Sequence, residues 1–277
     1  MTHSIKKYSL MAGMMTSLLL ASCYEKFDPE SYAPDFEIAG FTAADEIAPS
    51  NLAGYWSFDG NYIESKSNDA ADGVGTTFTA GFKGQAFKGA LNSYVTADAP
   101  TEMINMTSFT VSFWVNTPPP STGIIGLFSL SKTDGFWGNI ELFFENGSSN
   151  DNGRFRAHIF NGTNDKEFAS NGIPNLFDRW VHITVTYDGA TSTYKLYANG
   201  SVVSTVDGNG FGNLDVANPG KIVFGTAQFM TDPSIGCCGS QPWASYLTGT
   251  MDEVRIYNKA LTAVEVSALV VLQGKGK

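Results

Sequence analysis

"RWVHITVTYDGATSTYKLYANGSVV", Arg179 to Val203, is a β-hairpin legible in one dimension. Val181, Ile183 and Val185 alternate with His182, Thr184 and Thr186, and such alternation predicts a strand with one apolar face. The continuation "TYKLYANGSVVST" (Thr193–Thr205) turns at Asn199-Gly200, two residues that tolerate the positive φ of a type I′ turn. "SFTVSFWVNT" repeats the period: Phe109, Val111, Phe113 and Val115 share one face, and Thr110, Ser112 and Trp114 the other. "IELFFE" (Ile140–Glu145) and "RFRAHIF" (Arg154–Phe160) follow suit. Many short strands separated by turn signals predict an all-β chain, a two-sheet antiparallel jelly-roll sandwich. Only the end reads as helix, where Thr262 and Glu265 form a capping box before "VSALVVL". With 29 Gly, 20 Phe, 11 Tyr and only 16% charged residues, positions 52–272 fit one β domain, followed by a short tail at 273–277.

The start of the chain follows another logic. Lys6 and Lys7 precede the apolar run Leu10–Leu20, then "LASC" ends at Cys23. A basic start, a short apolar stretch and small residues form a secretory signal over 1–22. The run is shorter than the about 20 apolar residues that span a bilayer. Leu20-Ala21-Ser22-Cys23 resembles the lipobox of bacterial lipoproteins. That likeness implies cleavage before Cys23, lipidation of its thiol and amino group, and a membrane partner through the anchor. Glu25, Asp28 and Glu30 then resemble surface-export signals of such lipoproteins, which implies an outer-membrane, cell-surface location. Residues 23–51, acidic and with three prolines, read as a tether. The net charge of −10 becomes more negative once the leader lysines are removed, which excludes nucleic acid as a partner.

The β segments also occur in a familiar order. "LAGYWSFDGN" (Leu52–Asn61), "GFKGQAFKGALNSYVTA" (Gly81–Ala97), the strand from Ser108, the hairpin from Arg179 and "LTGTMDEVRIYNKALTAVEVSAL" (Leu247–Leu269) together resemble a laminin-G-like domain of the concanavalin A-like lectin/glucanase superfamily. The resemblance implies two antiparallel sheets, one of them concave, with the first and last strands adjacent. It also implies a structural calcium ion (Ca2+) near those strands, for which Asp59 and Asp252 are the candidate ligands. The alternative is that both are surface acids, or that Asp252 pairs with Arg255. Trp56, Phe58, Trp114, Trp180 and Tyr257 fall within strand patterns and are core or sheet-face residues. His182 is a packed, hydrogen-bonded histidine.

The superfamily includes glycosidases, and retaining ones need two carboxylates about 5–5.5 Å apart. The Glu-x-Asp-x-Glu run of its glucanases is absent. Glu141 and Glu145 share a face but stand roughly 13 Å apart. Asp165-x-Glu167 follows "NGTN" and reads as a solvated loop. Asp252 and Glu253 point to opposite faces. No Gly-x-Ser-x-Gly elbow, phosphate loop or His-x-x-x-His pair occurs. The sequence therefore leans away from an enzyme and toward a glycan-binding lipoprotein that serves glycosidases or glycan-uptake proteins. The alternatives are a glycoside hydrolase with a site assembled from distant strands, or a protein-binding adhesion module.

Aromatic rings stack on the flat faces of sugars, while polar side chains take the hydroxyls. Loop aromatics and one loop amide are thus the candidate ligand-binding residues: Phe136 and Trp137 in "TDGFWGN", Phe211 in "GNGFGN", and Gln241 and Trp243 in "SIGCCGSQPW". For each, the alternative is a ring covering the core edge. With Cys23 lipidated, Cys237 and Cys238 have only each other. A vicinal disulfide between them, eased by Gly236 and Gly239, would be a rigid apolar knob beside Trp243 that either joins the ligand-binding platform or only stiffens the loop. Free thiols or a soft-metal site are the alternatives.

Overall fold

The computed structural model of the protein describes residues 36–277. The expected leader, Cys23 and the acidic residues just behind it lie outside the described residues. Sixteen strands form two sheets. In order across the first sheet stand β13 (Ser201–Asp207), β12 (Thr193–Ala198), β11 (Val181–Asp188), β6 (Phe109–Asn116), β16 (Thr250–Tyr257), β4 (Gln85–Lys88) and β3 (Thr77–Ala80), with β1 (Leu52–Trp56) also paired to β16. The second sheet runs β10 (Asp165–Ile173), β9 (Gly153–Phe160), β8 (Ile140–Phe144), β7 (Ile124–Lys132), β14 (Pro219–Phe224), β5 (Tyr94–Ala97) and β2 (Asp72–Val74). The two-residue β15 (Ala244–Ser245) lies parallel along β7, and every other pairing is antiparallel. The chain is thus the two-sheet jelly-roll sandwich its alternation predicts.

The main core lies between the sheets. Phe109, Val111, Phe113 and Val115 from β6 are fully buried there, facing the inner residues of β7, β8 and β9 such as Leu130, Leu142 and Ala157. Burying one such large apolar side chain contributes about 1.5–3 kcal/mol. Asn199 and Gly200 adopt φ of +50° and +80° between β12 and β13, as a type I′ turn requires.

The outer face of β6 is covered as well. A helix over Ala263–Gly274 lies on it, started by the expected capping box: Glu265 N donates to Thr262 Oγ1 at 3.2 Å and Thr262 N to Glu265 Oε2 at 2.7 Å. Trp114 Nε1 donates to Gln273 Oε1 at 2.9 Å, and Leu261 N to Thr110 Oγ1 at 2.8 Å. Gln273, expected in the tail, is therefore a buried member of this layer.

The near end of the tether also differs from expectation. The compact unit begins at Glu37. Ala44 and Ile47 are buried, Asp45 pairs with Arg255 at 2.7 Å, and Asn51 Nδ2 donates to Asn258 Oδ1 at 2.8 Å. Its acids are exposed, yet the buried Ala44 and Ile47 and the Asp45–Arg255 pair make residues 37–51 part of the folded unit.

Candidate functional site

The connection from β7 to β8 crosses the outer face of the second sheet. Two buried side chains hold it down. Gln228 Oε1 accepts from Lys132 N at 2.7 Å, and its Nε2 donates to the carbonyls of Gly135 and Phe136 at 2.9 and 3.1 Å. Glu141 accepts from Gly138 N at 3.1 Å and Ser129 Oγ at 2.9 Å. Between these two anchors the indole of Trp137 lies flat on the sheet. It stacks over His158 (4.1 Å between centroids, 15° between planes) and Phe143 (5.1 Å, 8°). Phe136 and Phe229 meet the ring edge-on at 5.0 and 5.5 Å, and Trp137 as a whole is half-buried.

Phe136 stacks on Phe229 at 4.5 Å. Trp243 closes the group, 5.9 Å from Phe136, 6.1 Å from Trp137 and 5.4 Å from Phe229. Trp243 remains 39% exposed, although large aromatics are usually well buried. Three of the loop aromatics singled out in the sequence therefore meet in one patch. Phe143, Phe229 and His158, which that reading passed over, form its floor.

A polar cluster borders the patch. His158 on β9 stands opposite Glu141 on β8 and Glu167 on β10. Asp165 Oδ2 lies 2.6 Å from His158 Nδ1, and Glu167 Oε2 3.6 Å from Nε2. Arg156 pairs with Glu145 and, at 3.2 Å, with Glu167. The reading of Asp165-x-Glu167 as a solvated loop is corrected: both begin β10 and share its outer face. β10 is an edge strand whose outer residues are polar, so the segment resembled a loop. The signal that betrays it is Phe168 and Ser170, buried at alternate positions.

Glu141 lies fully buried among these groups. Desolvation pushes its carboxyl up to about 8, against the opposing pull of the Ser129 and Gly138 hydrogen bonds. Folded Glu141 thus keeps its proton where the unfolded chain has lost it, and between the usual carboxylate range and pH 8 stability falls as pH rises. One such proton is worth up to about 1.4 kcal/mol per pH unit. Asp252, pushed up to about 7 by the same desolvation, adds the same sign at lower pH. Glu141→Gln should therefore flatten the loss of stability between pH 7 and 8 in urea titrations; an unchanged slope would refute the protonated state.

The remaining candidates are placed elsewhere. Phe211 packs against Phe168 and Tyr187 at 6.1 and 6.3 Å, with Lys166 Nζ 5.7 Å from its ring centroid. It covers the core edge and is not part of the aromatic patch. Gln241 turns back on its own loop, donating to Gly239 O at 3.2 Å. The sulfurs of Cys237 and Cys238 lie side by side, 2.6 Å apart. Cys238 takes φ +81°, and Cys237 N donates to Gly135 O at 3.1 Å, tying this loop to the Trp137 loop. On its other side the cysteine loop walls a cleft of about 590 Å³ lined by Asn92, Tyr94, Asp232, Ser240 and Tyr246. Tyr246 also lines a second cleft of about 360 Å³ with Leu91 and Pro118. His182 is buried, 3.1 Å from Thr184 Oγ1, and desolvation holds its imidazole down at about 3.

Asp59 and Asp252 clamp the β3–β4 turn. Asp59 Oδ1 accepts from Gln85 N at 2.7 Å, while Asp252 Oδ2 accepts from Lys83 N at 2.9 Å and Oδ1 from Glu253 N at 2.8 Å. Gly84 has φ +59°, and a Cβ there would fall 2.0 Å from Asp59 Oδ1. The clamp presses Phe82 onto Trp114, 3.4 Å between centroids. Here N–H donors converge on the carboxylates, and among the described residues no group of three or more acids, histidines or cysteines could hold a metal. Nor does Asp252 pair with Arg255 or lie on the surface. It is fully buried, and the Arg255 partners are Asp45 and Glu253.

The Laminin_G_3 family model, described as concanavalin A-like lectin/glucanases superfamily, matches residues 87–267. No curated protein matches the chain. Among solved structures, domain 4 of AbnA is similar, a GH43 extracellular arabinanase from Geobacillus stearothermophilus in complex with arabinotriose. Its TM-score is 0.56 at 19% identity, covering 79% of this chain and 98% of that domain. The binding domain of botulinum neurotoxin serotype G gives 0.59 at 18% identity, covering 80% of this chain and 51% of that one. The serotype D ligand-binding domain in complex with N-acetylneuraminic acid gives 0.57 at 14%, covering 84% and 52%. The chain thus spans about half of each neurotoxin domain, and at these identities the likeness is one of fold.

Proposed function

The chain belongs to the Laminin_G_3 family of the concanavalin A-like lectin/glucanase superfamily, and from this premise we propose that it is a non-catalytic glycan-binding protein whose contact surface is the Trp137–Trp243 patch. The flat, half-open indole of Trp137 beside exposed carboxylates carries the reading. Such a ring stacks on the C–H face of a sugar, and Asp165 and Glu167 accept from its hydroxyls. Similar folds binding arabinotriose and N-acetylneuraminic acid support it.

Binding is preferred over hydrolysis on the state of the acids. Asp165 and Glu167 stand on an open sheet face, engaged by His158 and Arg156, and neither lines the two Tyr246 clefts. The raised carboxyl, Glu141, is sealed beneath the loop and out of reach of a substrate. The reading extends to Cys23 as the lipidated residue and to the outer cell surface as the location. Loss of palmitate incorporation in Cys23→Ser checks the anchor.

A glycan-array and polysaccharide pull-down screen on residues 24–277, with product analysis after long incubation, tests the function. Binding without shortened products is expected. Cleavage would establish the hydrolase instead, and neither binding nor cleavage would favour the adhesion module.

A further inference from the structure

The polar border of the patch is unbalanced in charge. Glu145, Asp165 and Glu167 bring three carboxylates, against two guanidiniums, Arg156 and the Arg154 that stands across from Glu145 on the same face of β9. With His158 neutral the group carries −1, and its two exposed acids, Asp165 and Glu167, are the members nearest His158. The other nearby cation, Lys132, is tied to Asp134. The acids are not idle surface charges. Asp165 and Glu167 are 36% and 49% exposed at the rim of the Trp137 platform. The His158 side chain is only 8% exposed, yet its Nε2 has no hydrogen-bond partner.

Resting on the glycan reading, we infer that this face takes uncharged or amine-bearing sugars and rejects those carrying carboxylate or sulfate. A hydroxyl donates to Asp165 or Glu167 without charge conflict, and an ammonium group gains attraction. A ligand anion stacked on Trp137 would face Glu167 and Asp165 at short range, where like charges near a protein surface repel strongly. Arg156 offers little relief, because its guanidinium is already held by Glu145, Glu167 and Asn171 (3.1 Å). The net charge of −10 on the whole chain acts in the same direction on approach.

The test is a calorimetric or affinity-gel series at low salt. Its probes are hexamers of N-acetylglucosamine, of glucosamine and of galacturonic acid, together with arabinotriose and sialyllactose. The best uncharged or amine-bearing probe should bind at least about tenfold more tightly than either anionic one. Glu167→Gln with Asp165→Asn, at exposed positions that tolerate the change, should narrow that ratio, and 0.5 M salt should narrow it too. An anionic probe that binds the unaltered protein as well as the neutral ones overturns the charge rule and leaves the glycan reading standing. Silence from every probe, with a screen that is also empty, overturns both.

Discussion

Arg255→Met should lower the unfolding free energy by about 3–5 kcal/mol, the usual cost of leaving one partner of a buried ion pair uncompensated. Arg255 is 2% exposed and Glu253 fully buried. The guanidinium lies 4.0 Å over the Tyr55 ring, 2.7 Å from Asp45 and 3.9 Å from Glu253. Glu253 in turn accepts from Tyr55 Oη at 2.8 Å and Gln273 Nε2 at 3.2 Å, and Gln273 holds Trp114. One polar network thus ties the segment before β1, three strands of the first sheet and the C-terminal helix. In urea titrations the midpoint should fall while the slope stays constant. Replacing both partners, Arg255→Met with Glu253→Leu, should cost less than Arg255→Met alone. A double variant no better than the single one would show that packing of the arginine stem, and not charge, sets the loss.

Trp137→Ala should weaken glycan binding by about 30-fold or more, the scale of an aromatic hot spot worth at least 2 kcal/mol. Trp137 is the platform in the proposed reading, and its removal also uncovers Phe143 and His158. Trp137→Phe should recover part of the affinity, because a smaller ring still offers a stacking face. Phe211→Ala is the control, since Phe211 packs on Phe168 and Tyr187 away from the patch. It should lower stability and leave affinity intact. Equal loss of binding in the Trp137 and Phe211 variants would place the contact surface elsewhere.

Elements whose signal is local were legible in the sequence. The alternation from Phe109 to Val115, the Asn199-Gly200 turn and the Thr262–Glu265 cap each depend on residues within a few positions of one another. Trp137, Phe136 and Trp243 were legible as rings outside strand patterns, though not as one patch, because their meeting depends on Gln228 and Glu141 anchoring a loop from a distance. His158 was missed because its neighbours are cross-strand. Nothing in "RFRAHIF" indicates that Glu167 and Glu141 will flank it. Asp59 and Asp252 were legible as acids near the first and last strands, whereas the backbone donors they meet from the β3–β4 turn depend on long-range folding. Phe211 lies in a glycine-rich stretch like the others, and only the packing of Phe168 distinguishes a ring that closes the core from one that faces outward.

The placement of β16 governs when the protein can exist at all. This strand is the hub of the first sheet, bonded to β6 on one side and to β4 and β1 on the other. Tyr55 must wait for Glu253, 198 residues later, before its hydroxyl finds a partner. A growing chain therefore holds its early strands without their central neighbour until Thr250–Tyr257 has been made, a topology that folds slowly. A chain cut short before Thr250 would leave three strand groups with bare edges, which invite pairing with other chains. Premature termination should yield aggregates or degradation products in place of a smaller working domain.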